Sequence, residues 1–216
     1  MKRKTRLPKG EGDAKTTGTY DPVATRKAVI EAAVKLFSLQ GYAQTPVQQI
    51  VETAGLTKGA FYHHYESKED VLLSIRDEIA SRLLQNAIDA IEKYDTPQDQ
   101  LRELVRTGVI SVVKYKAYVT VYFQEFRALS KRGLAKIREQ NDRQVEIMRD
   151  IISRGKEEGA FSQNIDIRVL TATIPAIINW AYRWYRPSGD LGVTELSDML
   201  CELALYGVMS RDAPAA

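Results

Sequence analysis

The sequence predicts an all-α protein of about nine helices, because apolar residues recur at helical spacing along most of the chain. In the segment that follows Pro22, for example, Val29, Leu36 and Phe37 fall on one helix face. Residues that favour the start of a helix precede most of these segments. No segment alternates convincingly between apolar and polar residues with a period of two, the pattern of a half-buried strand. We therefore expect helices packed on helices.

The first four helices are expected between residue 21 and about residue 94. Their expected start signals are Asp21-Pro22, Thr45-Pro46, Thr57 and Ser67. Gly41 and Gly55 are expected to end the first and second helices, because glycine adopts the backbone conformations found after a helix. Asp70, three residues after Ser67, completes a capping box. Three short helices and one long helix are therefore predicted.

Further helices are expected as far as the C-terminus, with starts at Thr96, Asp166 and Thr194. Gly155 and Gly159 are expected to fray the end of the helix before Asp166. The residues 1–20 contain Lys, Thr and Gly with almost no large apolar groups, so they cannot bury enough surface to fold. The predicted organisation is a flexible basic arm at 1–20, a three-helix domain at 21–68, a larger helical domain at 69–211 and a tail at 212–216.

Composition and charge restrict the function. The chain has 216 residues, of which 44% are apolar and 27% charged, so it can bury a sizeable core. Residues 1–68 carry 11 Lys or Arg against 6 Asp or Glu, whereas the remainder carries 20 against 22. This asymmetry favours nucleic acid or an acidic surface as a partner for the N-terminal end. The single cysteine, Cys201, and the lack of a signal peptide or of about 18 consecutive apolar residues predict a cytoplasmic protein without membrane contact.

The stretch GLTKGAFYHHYESKED, residues 55–70, carries the clearest functional signal. A helix, a tight turn and a second short helix are the elements of a helix-turn-helix. Small residues at the start of the second helix would let its backbone approach base edges in a DNA major groove, and polar neighbours can bind phosphates. The DNA-binding residues predicted from this pattern are Thr45, Thr57, Lys58, Gly59, Ala60, Tyr62, His63, His64 and Lys68.

The adjacent pair His63 and His64 could instead indicate a metal site or a catalytic base. Adjacent residues on a helix point about 100° apart, so they do not face one ligand. The sequence holds no third histidine and no cysteine near them, and it shows no recognisable arrangement of acid, base and nucleophile. We therefore expect no metal site, no cofactor and no enzymatic activity.

A dense set of residues between about 25 and 73 points to a known family. The set consists of Phe37, Gly41-Tyr42, Ile50, Ala54-Gly55-Leu56-Thr57-Lys58-Gly59, Phe61-Tyr62-His63-His64-Tyr65 and Ser67-Lys68-Glu69. It resembles the DNA-binding domain of the TetR family of transcriptional regulators. The resemblance implies a homodimer that binds a palindromic double-stranded DNA operator, with a helical C-terminal domain that dimerises through its last two helices and encloses a small-molecule pocket.

Two segments of the C-terminal domain are candidate pocket walls. One is a stripe of aromatic residues at steps of three or four, and the other is an apolar helix in which Pro175 bends the axis beside bulky rings. The ligand-binding residues predicted from these segments are Tyr115, Tyr118, Tyr122, Phe126, Arg127, Asn179, Trp180, Arg183 and Trp184. A place in the core or in the dimer interface is the competing interpretation for each ring.

The segment NWAYRWYRPSGDLGVTEL, with GKEEGAFSQNIDIRVL before it, resembles a subgroup of TetR-like regulators that respond to fatty acyl-CoA. This resemblance implies a repressor of fatty-acid or lipid degradation genes that is relieved by an acyl-CoA-like effector. Three alternatives stay open: a repressor of an efflux or detoxification gene that senses aromatic, drug-like ligands, an enzyme with an accessory DNA-binding domain, and a non-specific architectural DNA binder. The basic arm either adds DNA contacts or only interacts with solvent.

Overall fold

The computed structural model describes residues 21–206, apart from the side chains of residues 136 and 138–142. The expected arm at 1–20, the tail at 212–216 and the end of the larger domain at 211 lie outside the described residues. Within residues 21–206 the chain forms nine α-helices, one 3-10 turn and no strand, which confirms the predicted all-α class. None of these helices is both long and apolar enough to cross a membrane. The helices are α1 (Pro22–Gln40), α2 (Val47–Thr53), α3 (Lys58–His64), α4 (Lys68–Lys93), α5 (Pro97–Lys114), α6 (Lys116–Glu125), α7 (Lys131–Glu157), α8 (Ile167–Trp184) and α9 (Val193–Tyr206), with the 3-10 turn at Phe126–Ala128.

Side-chain caps begin several helices at the residues that the sequence predicts. The Asp21 carboxylate accepts hydrogen bonds from the backbone N–H groups of Val23 and Ala24, at 2.9 and 3.2 Å. The hydroxyls of Thr57 and Ser67 each accept one from the N–H group three residues further on. These bonds satisfy donors that have no partner inside the helix. The positions of α1, α3 and α4 are therefore encoded locally.

Two predicted helix boundaries in the C-terminal half are wrong. α9 begins at Val193, so Thr194 lies inside its first turn and does not cap it. Gly155 does not fray α7 but lies buried within it, because the fully buried ring of Phe161 folds back over its backbone. A β-carbon at this glycine would lie 2.1 Å from Phe161 Cδ2. The helix ends instead just before Gly159, whose φ of +74° suits a residue without a β-carbon.

The buried side chains form two clusters. The N-terminal cluster contains residues of α1, α2, α3 and the first half of α4, together with Val121, Leu129 and Ile137 from the α6–α7 region. The C-terminal cluster joins the later part of α4 to α5, α7, α8 and α9, with α5 packed against each of these helices. α4 contributes residues to both clusters, so the clusters do not divide the chain at one position. The domain boundary between residues 68 and 69 therefore stays a prediction.

Gly155→Ala is expected to lower the free energy of unfolding by about 1–3 kcal/mol, because the added methyl group overlaps the buried Phe161 ring. Chemical denaturation followed by circular dichroism measures this loss. Glu157→Ala, at an exposed position of the same helix, is the matched control and should change the free energy by less than about 0.5 kcal/mol. Equal effects of the two substitutions would contradict the packing role of Gly155.

Candidate DNA-binding surface and effector cavity

α2 and α3 form a helix-turn-helix whose turn depends on Gly55. The φ of this glycine, +68°, lies in the left-handed region, which residues with a β-carbon rarely adopt. A backbone hydrogen bond from the Leu56 N–H to the Val51 carbonyl, at 2.8 Å, closes the turn. Ile50 and Phe61 are fully buried in the cluster that they share with α1. The two helices are therefore held at a fixed position on the N-terminal cluster.

The start of α3 presents small and polar side chains to solvent. Thr57, Lys58 and Gly59 are exposed, and Ala60 is half-buried. A β-carbon at Gly59 would meet no atom nearer than Thr57 Oγ1, at 3.7 Å. Tyr62, on the same short helix, is 56% exposed in spite of its size. A DNA major groove, about 12 Å wide, can accommodate a helix with this surface.

His63 and His64 lie at the C-terminal end of α3, with their ring centroids 5.2 Å apart and the rings edge to face. Burial lowers the pKa of His64, and electrostatic interactions with His63 and Arg26 lower it further. The His64 ring is therefore neutral at neutral pH and can donate one hydrogen bond and accept another. Among the side chains that the structure describes, His, Cys, Asp and Glu do not gather in a group of three or more that could hold a metal ion.

Thr45 and Lys68 differ from the other DNA-binding candidates, because their polar groups face the protein. The fully buried Thr45 donates its hydroxyl hydrogen to the Gly41 carbonyl at 2.8 Å and accepts a hydrogen bond from the Gln40 amide at 3.1 Å. Lys68 Nζ donates to the carbonyls of Tyr42 and Thr45, at 2.7 and 2.8 Å, and burial lowers its pKa. Both side chains hold the α1–α2 turn, which differs from the prediction that they bind DNA phosphates. The carbonyl groups that follow the end of a helix have no N–H partner within that helix, so side chains such as these donate to them instead.

A cavity of about 300 Å³ lies among α4, α5, α6, α7 and α8. This volume is at the lower end of the range for small-molecule sites. Most of its wall is aliphatic, with contributions from Ile79, Leu83, Leu104, Val119, Met148 and Ile178. The polar side chains in the wall are Arg76, Asn86, Tyr122, Gln144, Thr171 and Asn179.

Arg76 is the buried charge in this wall, and the residue is 6% exposed. Its Nη1 lies 3.1 Å from Asp77 Oδ1. Burial raises the pKa of the Tyr122 phenol, and the charge of Arg76 and its hydrogen bond to Tyr122 partly offset that rise. Asn86 donates to Ser111 Oγ at 2.9 Å. Arg76, Tyr122 and Asn86 are therefore oriented by interactions with neighbouring side chains.

Two family models match the chain. "Bacterial regulatory proteins, tetR family" matches residues 29–75, and "Tetracyclin repressor-like, C-terminal domain" matches residues 94–208, more than half of the chain. The protein belongs to the TetR family of transcriptional regulators. The first match covers the helix-turn-helix, and the second covers most of the helices around the cavity. Both models describe regulators, and neither describes an enzyme family.

This TetR-family chain is similar to several other proteins along most of its length. It is 26% identical to the HTH-type transcriptional repressor KstR2 of Mycobacterium tuberculosis over 184 residues, 85% of this chain and 92% of that protein. The solved structure of that ketosteroid transcriptional regulator matches with a TM-score of 0.74 and covers 86% of this chain and 95% of its own. The structure of the TetR-family regulator PfmR from Thermus thermophilus is 30% identical, with a TM-score of 0.73 and coverage of 83% and 97%. The fatty acid metabolism regulator protein of Bacillus subtilis is 24% identical over 185 residues, 85% of this chain and 95% of that protein.

Of the nine residues predicted to bind the ligand, Tyr122 and Asn179 line the cavity. Pro175, the predicted bend, lines it as well. Tyr115 instead ends α5, and the centre of its ring lies 4.3 Å from a guanidinium group of α4. Tyr118 packs against the N-terminal cluster. The break between α5 and α6 separates Tyr115 from the other rings, and Tyr118 faces a different cluster from Tyr122, so the aromatic residues do not form the continuous pocket wall that the spacing predicts.

The other five predicted residues do not line the cavity: Phe126, Arg127, Trp180, Arg183 and Trp184. Trp180 and Trp184 are 60% and 46% exposed on the outer side of α8. The last two helices each carry exposed apolar residues, which we together call the outer α8–α9 face: Val169, Trp180, Trp184, Met199, Leu203 and Tyr206. The apolar residues of α8 thus divide between the core and an outward face.

Several residues in the cavity wall are absent from the sequence-based prediction: Arg76, Asn86, Gln144 and Thr171. A signal for Arg76 exists, because it follows the buried Leu72 by four residues and Leu73 by three, and so shares their helix face. A charged residue on the buried face of a helix requires a partner or a ligand. Gln144 and Thr171 carry no comparable signal, because polar residues at partly exposed helix positions are common.

An operator can be selected from random-sequence DNA with the wild-type protein. Lys58→Ala is expected to weaken binding to this operator about tenfold, a loss of ~1.4 kcal/mol in binding free energy. The loss of one cation should also reduce the salt dependence of binding. Fluorescence anisotropy at several salt concentrations measures both effects. Lys93→Ala is the matched control, since Lys93 lies about 37 Å along α4 from Lys68. Unchanged affinity in Lys58→Ala would remove the α3 surface from consideration as the DNA-binding element.

Proposed function

We propose that this TetR-family protein is a cytoplasmic repressor of fatty-acid or lipid degradation genes, relieved by an acyl-CoA-like effector. It acts as a homodimer, and each protomer contacts one half of a palindromic DNA operator with its α3 surface. The contacting residues are Thr57, Lys58, Gly59, Ala60, Tyr62, His63 and His64. The observation that carries this proposal is that helices lining the cavity also make the hydrogen bonds that hold the DNA-binding head.

α6 connects the cavity to the head through Glu125. Tyr122 and Phe123 of α6 line the cavity, and Glu125 follows within one turn. Glu125 Oε1 accepts a hydrogen bond from the Tyr42 N–H, in the α1–α2 turn, at 3.0 Å. The Tyr42 carbonyl accepts another from Lys68 of α4, at 2.7 Å. A displacement of α6 by an effector is therefore transmitted to the turn that precedes the helix-turn-helix.

α4 and α7 form a second connection. Arg76 of α4 lines the cavity about two turns after Glu69. Glu69 Oε1 accepts hydrogen bonds from the backbone N–H and the hydroxyl of Ser130, the N-cap of α7, at 2.9 and 2.7 Å. The helices meet so closely that a β-carbon at Gly133 would lie 2.3 Å from that carboxylate oxygen. Since α7 supplies Met148 to the cavity, an effector acts on this connection too.

Release of DNA follows from differential affinity. An effector shifts a conformational equilibrium only by the difference between its affinities for the two conformers. A preference of about 1.4 kcal/mol for the conformer that does not fit the operator lowers operator affinity about tenfold. Two heads on a twofold axis must match half-sites about one DNA turn apart, so a small change in their separation is sufficient.

The outer α8–α9 face provides the proposed dimer contact. Trp180 and Leu203 on this face are 60% and 62% exposed, and exposed apolar residues grouped in this way mark interaction surfaces. When the same face of a second copy covers it, the two protomers are related by a twofold axis. Such an axis explains why a palindromic operator is expected.

The acyl-CoA-like effector is supported by the resemblance of residues 155–170 and 179–196 to acyl-CoA-responsive regulators. The names of two relatives refer to ketosteroids and to fatty acid metabolism, and both kinds of molecule are lipids. The mainly aliphatic cavity wall suits an acyl chain. The alternative, a repressor of an efflux or detoxification gene with an aromatic effector, is supported by Phe123 in the wall, which stacks on Tyr182 at a ring distance of 5.2 Å.

Mass spectrometry of ligand carried through native purification tests the effector class. A CoA thioester or fatty acid that also releases the operator supports the lipid proposal. A planar, drug-like molecule that releases the operator supports the alternative and excludes the lipid proposal.

Glu125→Ala is expected to reduce the ratio of operator dissociation constants with and without effector several-fold, because α6 loses its bond to the Tyr42 N–H. Effector affinity should change little, since Glu125 does not line the cavity. Titrations of operator and of effector measure the two quantities separately. Gln124→Ala, at the exposed neighbouring position, is the control. A full effector response in Glu125→Ala would show that the signal takes another route.

Leu203→Asp is expected to raise the dimer dissociation constant by at least about tenfold, because it would bury an unpaired charge in the outer α8–α9 face. Analytical ultracentrifugation measures the effect. Leu39→Asp introduces the same charge at a leucine that is 74% exposed on α1, and it should leave the dimer intact. An unaltered dimer in Leu203→Asp would assign dimerisation to a different surface.

A further inference from the structure

We propose that the effector carries a carboxylate, which binds Arg76 and the Tyr122 hydroxyl in the cavity while its apolar body lies along α4. This inference rests on the proposed function, because it takes the cavity as the effector site and names the ligand chemistry that the site selects. It concerns ligand affinity, which can be measured independently of DNA release.

α4 forms a continuous wall of the cavity with polar groups at its two ends. The lining residues of α4 are Arg76, Ile79, Ala80, Leu83 and Asn86, which follow one another at steps of one or three along one face. With a rise of about 1.5 Å per residue, Arg76 and Asn86 lie about 15 Å apart along the helix axis. The three residues between them are apolar. This wall suits a molecule with an apolar body and a polar group at one end.

Among the described residues that line the cavity, only Arg76 has a charged side chain. That side chain is 7% exposed, and the attraction between charges is stronger in such surroundings than in water. The Asp77 carboxylate contacts Nη1 at 3.1 Å, but its side chain is 40% exposed, so solvent weakens its field. A guanidinium has five N–H donors in a planar fork, so it can contact a ligand carboxylate alongside protein partners such as Asp77.

Tyr122 provides a second donor beside Arg76. Tyr122 lines the same cavity as Arg76, and a phenol hydroxyl can accept a hydrogen bond from a guanidinium while it donates its own proton to a ligand. Burial raises the pKa of this phenol, which keeps it protonated at neutral pH. For one carboxylate group, Arg76 can therefore provide charged N–H donors and Tyr122 a neutral O–H donor.

The same groups discriminate against other ligand classes. An amine would place a positive charge beside Arg76, and an alcohol would form only a neutral hydrogen bond. Hydrogen bonds to charged partners are stronger, and the difference corresponds to about ten- to a hundredfold in affinity. Two sources share the chemistry of an apolar chain that ends in a carboxylate: a free fatty acid, and a CoA thioester whose acyl chain carries a carboxylate at its far end.

Calorimetric titration of the purified protein with matched ligands tests the inference. We expect octanoate to bind about ten- to a hundredfold more tightly than 1-octanol or octylamine. If the effector is a free acid, octanoate also binds more tightly than suberoyl-CoA. If it is a carboxyacyl thioester, suberoyl-CoA binds more tightly than both octanoate and octanoyl-CoA.

Arg76→Gln is expected to weaken octanoate binding about ten- to a hundredfold and 1-octanol binding less than about threefold. Arg127→Gln removes an exposed arginine outside the cavity and should leave both affinities unchanged. Circular dichroism and thermal melting show whether each variant folds. Tyr122→Phe, which retains the ring, should weaken octanoate binding about three- to tenfold and provides the test if Arg76→Gln does not fold.

Equal affinity of the wild-type protein for octanoate and 1-octanol would overturn the inference. The inference would also be overturned if folded Arg76→Gln bound octanoate as tightly as the wild type. If Arg76→Gln does not fold, the same result in Tyr122→Phe would overturn it. Operator release is measured separately by fluorescence anisotropy. If octanoate binding depends on Arg76 but no acyl ligand releases DNA, the inference stands and the proposed function fails. If octanoyl-CoA releases DNA with equal potency from wild type and Arg76→Gln, the function stands and the inference fails.

Discussion

The backbone of Tyr42 joins the DNA-binding head to the rest of the protein. Its N–H donates to Glu125 at the end of α6, and its carbonyl accepts from Lys68 at the start of α4. Backbone groups just after a helix end have no helical partners and must find others. Here the partners come from helices that also line the cavity, so the position of the head depends on the arrangement of the larger domain.

The hydrogen bonds that link the head to the larger domain, which we call the joint, differ from the apolar core in how they resist deformation. The N-terminal cluster buries closely packed apolar side chains such as Ile50 and Phe61, and it resists deformation. The bonds from Glu69 and Glu125 across the joint are few and charge-assisted, and each involves one carboxylate oxygen in the described contacts. The N-terminal cluster also contains Val121, Leu129 and Ile137 from the α6–α7 region, so α6 and α7 contact the head through apolar packing as well as through these hydrogen bonds.

The cavity and its arginine reduce stability. A space among α4, α5, α6, α7 and α8 forfeits contacts between side chains, and the buried guanidinium of Arg76 requires polar partners. An apolar core without either feature would be more stable. Such features are typical of functional sites, where binding takes precedence over stability.

Local chemistry explains which parts could be predicted from the sequence. The helix class, the caps at Asp21, Thr57 and Ser67 and the turn at Gly55 depend on residues within a few positions of one another, and the amino-acid order determines them directly. Only the tertiary structure decided which rings and which buried charge line the cavity. It also decided which polar groups hold the α1–α2 turn. Trp180 has the same chemistry in a core, in a pocket wall or on an outer face, and the orientation of α8 against its neighbours places it outside. Lys68 likewise has the chemistry of a surface cation, and only the folded chain brings the carbonyl groups of the turn within reach of its side chain.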